Sequence, residues 1–165
     1  MITLVLGGAR SGKSATAERV AGSGPEPVTY VATMTVGGDA GLAQRVAAHR
    51  ARRPARWRTV EAVDDLPGLL RSLDGTALVD SLGPWVAAAP AMTVDADGLC
   101  AALVDRRGDT VVVSEEVGLG VHPTSEAGRH FRDALGALNQ SVASVADAVL
   151  LVVAGRVLAL GPEGP

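Results

Sequence analysis

The first fourteen residues, MITLVLGGARSGKS, restrict the rest of the chain more than any other stretch. Ile2 to Leu6 is a short apolar run with β-branched members, long enough for one buried strand. Gly7-x-x-x-x-Gly12-Lys13-Ser14 follows at once, and the ATAERVA after it has a helical composition. Strand, glycine loop, GK[ST] and helix in this order spell a phosphate-binding P-loop. The residue types follow from the ligand. Neighbouring phosphates carry dense negative charge, so the main chain must curl round them and aim N–H groups inward. Gly7, Gly8 and Gly12 let the backbone of Gly7-Gly8-Ala9-Arg10-Ser11-Gly12 turn and approach closely. The helix starting near Lys13 adds unpaired N–H groups and the positive end of its dipole. Lys13 is placed to reach the β/γ-phosphates, and the Ser14 hydroxyl to ligate Mg2+. Lys13 is also the sole lysine; every other basic side chain is arginine.

The 165 residues, 47% hydrophobic and 20% charged, favour one globular domain spanning 1–165. Aromatics are only 2%, so the core must be built from Val, Leu and Ala. A net charge of −3 and no basic stripe with interleaved aromatics argue against nucleic-acid binding. The lone Cys100 permits neither an intrachain disulfide nor a cysteine-cluster metal site. The N-terminal apolar run ends at Gly7 and reads as a strand rather than a signal peptide. The longest later run, Ala148 to Ala154, is too short to cross a bilayer. A soluble cytoplasmic protein with no membrane partner is the expectation.

Along the chain, Ser14 to Ala21 predicts a helix ended by Gly22-Ser23-Gly24-Pro25, and Val28 to Ala32 predicts the second strand. Thr33, Met34 and Thr35 leave its C-terminal end, the edge where open α/β sheets bind ligands. Ala40 to about Arg52 reads as a helix, with Arg45, His49 and Arg52/Arg53 on one face. Pro54 closes it, and Trp57 to Glu61 reads as extended. Two readings of this basic stretch stand open: a solvated helix face with an incidental histidine, or an imidazole among phosphate-binding guanidiniums. In the second, nearby positive charge favours neutral His49, the nucleophilic form.

Leu66 to Leu73 predicts a short helix, and Ala77 to Asp80 a strand ending in a carboxylate. Behind a P-loop, Asp80 takes the position that steadies Mg2+; its plain alternative is a strand-end Asp. Gly83-Pro84 and Ala89-Pro90 break the chain, so the stretch to Thr93 reads as irregular or briefly helical. Asp95 or Asp97 caps a helix through Leu103 to Arg106, and Thr110 to Ser114 is a fourth strand. That strand delivers Glu115-Glu116 and Gly118 to the ligand edge, as a metal- or ribose-facing loop or a polar turn. Thr124 to about Val145 is the longest helix, with Phe131, Leu135, Leu138 and Val142 as its core stripe. Val149 to Val153 is a fifth strand, from which Arg156 to Leu160 returns antiparallel after Gly155. His122 and His130 have no ligand-like spacing. The fold expected is α/β, a doubly wound and mostly parallel sheet with a C-terminal antiparallel strand.

With no lysine beyond Lys13, the lysine-containing guanine-reading motif of Ras-like GTPases is ruled out, leaving a compact kinase or nucleotidyltransferase. GGARSGKS at Gly7–Ser14, RVAAHRARRPARWRTVE at Arg45–Glu61, VDSLGPW at Val79–Trp85, SEEVGLGVHP at Ser114–Pro123 and GRHFRDALGALNQ at Gly128–Gln140 together resemble the adenosylcobinamide kinase / adenosylcobinamide-phosphate guanylyltransferase family. The resemblance covers nearly the whole chain. It implies a RecA-like fold, a homo-oligomer (a trimer), and a corrinoid substrate phosphorylated from ATP or GTP. It further implies GMP transfer from GTP through a guanylylated histidine, which falls on His49. Arg50, Ala51, Arg52 and Arg53 then flank the phosphates, with carboxylates carried over to Glu61, near the guanosine, and Asp80. Two positions depart from the family pattern: Glu115, where Asn is common, and Gly83-Pro84, where a Thr-containing turn is common. A different small-molecule P-loop kinase without a covalent step, and a nucleotide-binding regulatory module, are the rival readings.

Overall fold

Short, nearly continuous apolar runs rich in β-branched residues set the architecture of the computed structural model, which describes residues 1–34, 53–62 and 65–161. Among these, seven strands form one sheet: β1 (Ile2–Gly7), β2 (Val28–Ala32), β3 (Arg58–Glu61), β4 (Thr76–Asp80), β5 (Thr110–Glu115), β6 (Ala148–Val153) and β7 (Arg156–Leu160). Their order is β3-β2-β4-β5-β1-β6-β7. Strand β1 lies between β5 and β6, parallel to both, and every pairing is parallel except β6 with β7. Leu4 and Val5 on opposite faces of β1 are both fully buried, as a central parallel strand requires.

Two layers of helix cover the sheet. Helix α1 (Lys13–Ala21) sets Ala17 and Ala21 against Val5, Leu78, Val111 and Val113. The other face carries α2 (Leu66–Ser72), α3 (Leu82–Ala88), α4 (Ala96–Asp105) and α5 (Glu126–Val145). Their Leu66, Leu70, Leu82, Leu99, Leu103, Leu135, Leu138 and Val142 pack on Leu4, Val79 and Val112. Burying each such Leu contributes about 1.5–3 kcal/mol, which offsets the scarcity of aromatic area. The predicted stripe of α5 is the buried one, with Phe131 at its partly buried margin.

Local signals set the helix ends. Asp65 and Asp95 accept from the N–H of Gly68 and Gly98 at 2.7 and 2.8 Å, and Ser125 accepts from Gly128. The stretch after Asp80 is briefly helical, one of the two forms expected, but Gly83 and Pro84 lie within the first turn of α3 and do not break the chain there. A first-turn N–H has no helical partner in any case, so Pro84 starts the helix instead of breaking it. The helix expected over 40–52 lies outside the described residues.

At the edge of the sheet away from the P-loop, the buried Arg106 ties the chain over 70–75 to that at 109–110. Its guanidinium donates to the carbonyls of Leu70, Leu73, Gly75 and Asp109 and to the Thr110 hydroxyl. Burial lowers its pKa from the usual arginine value, and Asp109 and Asp74 counter that.

Candidate active site

The P-loop curls off the C-terminal end of β1. Arg10 and Gly12 have φ of 57° and 96°, and at the latter value a glycine is favoured because a Cβ would be strained. Gly8, Ala9 and Arg10 are exposed, while Ser11 is buried and accepts from the Lys13 N–H through its hydroxyl at 3.3 Å. The hairpin joining β6 to β7 supports the loop from below. Its turn residues Ala154 and Gly155 both have positive φ, as a two-residue turn of this hand demands, and the Gly155 N–H donates to the Ser11 carbonyl at 2.8 Å.

Strand pleating then puts the chemistry on one face. Tyr30 of β2, Leu78 of β4 and Val113 of β5 pack beneath α1, so Asp80 and Glu115, two residues further on, point the same way. Ser14 donates to Asp80 Oδ1 at 3.4 Å, and Tyr30 donates to Asp80 Oδ2 at 2.9 Å. The Arg53 guanidinium lies over the Tyr30 ring, its Cζ 3.1 Å from the centroid, and Arg53 Nε stands 3.9 Å from Glu18 Oε1. Glu18 is one turn along α1 from Ser14, so the five residues close a ring. Burial, then the facing Asp80 carboxylate, pushes the Tyr30 phenol above the ordinary tyrosine range, with Arg53 opposing. Tyr30 therefore stays a donor.

Lys13 Nζ lies 3.4 Å from the Gly8 carbonyl and 3.7 Å from Glu115 Oε1. Glu115 in turn accepts from the Ser81 hydroxyl at 2.7 Å and from the Gly83 N–H at 3.0 Å. The two departures from the family pattern thus touch each other. A Cβ at Gly83 would overlap Glu115 Oε2, so the carboxylate fits because glycine is there.

Other expected site residues are placed as follows. Gly7 is buried at the end of β1. Thr33 is buried, and its hydroxyl is directed onto the Ser81 backbone, donating to the carbonyl and accepting from the N–H. Met34 is half-buried just past β2, and Glu61 is exposed at the same edge on the outer strand β3. Arg53 spends its guanidinium on Tyr30 and Glu18, with its side chain only 7% exposed. Thr35, His49, Arg50, Ala51 and Arg52 lie outside the described residues. Glu116 accepts from the Gly118 N–H within its own loop.

For Mg2+, the Ser14 hydroxyl and Asp80 carboxylate supply two converging hard oxygens. That suits a small ion which keeps its remaining positions for phosphate oxygens and water. Among the described residues no three His, Cys, Asp or Glu side chains gather as an independent cation site.

The family model described as cobinamide kinase / cobinamide phosphate guanyltransferase matches residues 3–160. The chain belongs to that family. Its similarity to the bifunctional adenosylcobalamin biosynthesis protein CobP of Pseudomonas aeruginosa is 39% identity, over 99% of each chain. The bifunctional adenosylcobalamin biosynthesis protein CobU of Salmonella typhimurium is 37% identical over 94% of this chain and 97% of its own. Among solved structures, an ATPase of a bacterial type III secretion system has a TM-score of 0.52 at 13% identity, covering 91% of this chain. This chain spans half of that one, and the likeness is one of fold. Membership of the cobinamide kinase / guanyltransferase family makes the chain an enzyme with a nucleotide-binding P-loop.

Tyr30, Glu18, Ser81 and Asn139 were not expected at the site. Asn139 donates to the Glu115 carbonyl at 3.1 Å. Two signals pointed to them: Tyr30 is the chain's single tyrosine, and Asn139 adjoins the apolar stripe of α5.

Proposed function

We propose that one nucleotide site serves two reactions of cobalamin biosynthesis within a single domain. In the first, the terminal phosphate of ATP or GTP passes to the hydroxyl of adenosylcobinamide. In the second, neutral His49 attacks the α-phosphorus of GTP, pyrophosphate leaves, and the bound GMP moves to adenosylcobinamide phosphate, giving adenosylcobinamide-GDP. The observation that carries this reading is the hydrogen bond from Ser14, next to Lys13 in the P-loop, to Asp80 at the end of β4, in a chain of this family. Ser14 and Asp80 would hold Mg2+, which draws charge from the phosphates when bound. In this reading Lys13 and the loop N–H groups take charge at the leaving phosphate, Arg50 and Arg52 at the α-phosphate, and Glu61 and Thr35 serve the nucleoside. Arg53, four residues beyond His49 in the sequence, is bound into the ring that holds Asp80.

An oligomer, a trimer in the family resemblance, is favoured by the edge strand β7 with Leu158 and Val157 59% and 46% exposed. The setting proposed is the cytoplasm; no described helix is long and apolar enough to cross a membrane.

Incubation with α-labelled GTP and Mg2+ should give an acid-labile, base-stable GMP adduct that is absent in His49→Ala. A label that persists in His49→Ala contradicts the nucleophile. Turnover from γ-labelled donor with no GMP ever on the protein favours the plain kinase.

A further inference from the structure

Glu115 is a carboxylate at the cradle that neither the metal pair nor the guanylyl reaction uses. It ends β5, beside the P-loop strand, with Gly7 as its register partner. Its position is built. Oε1 accepts from the Ser81 hydroxyl, Oε2 accepts from the Gly83 N–H, and Asn139 holds its main-chain carbonyl. Ser81 is fixed in turn by Thr33, and Gly83 leaves the space that Oε2 fills. The side chain remains 27% exposed, so its outer lone pairs are open to an incoming group.

Oε1 lies 3.7 Å from Lys13 Nζ, the cation that reaches the β/γ-phosphates in a P-loop. The carboxylate is therefore at the terminal-phosphate end of the cradle. A negative group held there repels phosphate oxygens, but toward a neutral proton-bearing neighbour of the γ-phosphorus it is a proton acceptor. The acceptor alcohol of the kinase reaction is that neighbour.

We propose that Glu115 is the general base of phosphoryl transfer, a catalytic residue of the kinase half that Ser81 and Gly83 aim; this rests on the kinase reading above. The alcohol oxygen forms its bond to Pγ and its proton passes to a Glu115 carboxylate oxygen. The bond from Pγ to the β–γ bridging oxygen breaks, and the nucleoside diphosphate leaves with the electron pair. Guanylyl transfer makes no such demand. Its acceptor is an already ionised phosphate and its reaction is at the α-phosphorus.

The test measures both reactions separately in wild type, Glu115→Gln and Gly83→Ala. Phosphorylation of adenosylcobinamide is followed with γ-labelled ATP, and guanylyl transfer with α-labelled GTP and supplied adenosylcobinamide phosphate. Glu115→Gln keeps the hydrogen-bonding shape and should lower kcat for phosphorylation by about 10²–10⁴-fold, with guanylyl transfer changed by less than about threefold. Gly83→Ala, which leaves Glu115 in the sequence but displaces its carboxylate, should slow the same reaction selectively. Phosphorylation by Glu115→Gln within about twofold of wild type overturns the proposal. So does a parallel fall of both reactions in both variants, which would mark Glu115 as a prop for Lys13. A wild-type chain that guanylylates but never phosphorylates adenosylcobinamide overturns the kinase reading itself, a different result from a wild-type rate indifferent to Glu115.

Discussion

Tyr30→Phe removes one oxygen and leaves the ring, so it separates the two jobs of the residue that links Asp80 to Arg53. The ring still stacks under the Arg53 guanidinium, while Asp80 Oδ2 loses its donor at 2.9 Å. A hydrogen bond to a charged group contributes about 1.5–3 kcal/mol net. Asp80 is half-buried, so water recovers part of this, and the expected loss is about 1–2 kcal/mol. For a chain of 165 residues each kcal/mol moves the midpoint by about 2–4 °C, so Tm should fall by about 2–8 °C. Function should be hit harder than stability. Loss of a group that orients a metal-binding carboxylate costs about 10–100-fold in metal affinity. Ser14 still restrains Asp80 Oδ1, which places the loss near the lower end, at about tenfold. Calorimetric titration with GTP in the presence of Mg2+ and again with excess chelator should show the weakening only in the first series. Equal affinity of wild type and Tyr30→Phe for the Mg2+ complex, with an unshifted Tm, would refute the claim that Tyr30 orients Asp80.

Two further outcomes follow from buried groups. Tyr30 is the single tyrosine, so absorbance near 295 nm reports its ionisation alone, and no tyrosinate should form near pH 10 until the chain unfolds. Because its folded pKa is raised, the folded state keeps a proton that the unfolded state loses; Tyr30's contribution to stability is full below about pH 10 and declines above it. Arg106→Met should cost about 3–5 kcal/mol by urea denaturation, since four carbonyls and a hydroxyl lose their donor, yet leave GTP affinity unchanged because Arg106 is at the opposite edge of the sheet.

What was legible in the sequence is what depends on near neighbours along the chain. The P-loop, the Asp95 cap, the apolar stripe of α5 and the hairpin turn at Gly155 are each decided within a few residues, and each is where local rules put it. Gly83-Pro84 shows where such rules mislead. The same pair breaks a helix interior and begins a helix, and only the position of Ser81 as the N-cap separates the two. Contacts between strands distant in sequence were not legible. Tyr30 reaches Asp80 because β2 pairs with β4 in the register Ala32 to Asp80, a choice made by the whole sheet. Arg53 looked like one more phosphate-facing guanidinium on a basic face, but the Tyr30 ring and Glu18 take it up. Glu115 and Gly83 stood as separate departures 32 residues apart until the ends of β4 and β5 were seen side by side.

The claim on which the functional account rests is that the nucleotide site passes GMP through the protein itself. The direct measurement is a chase: the chain is labelled with α-labelled GTP, freed of nucleotide by gel filtration, and mixed with adenosylcobinamide phosphate alone. The account predicts that protein-bound label is converted one-for-one to adenosylcobinamide-GDP, at a rate no slower than steady-state turnover. Label that stays on the protein while turnover with fresh GTP proceeds normally would contradict it.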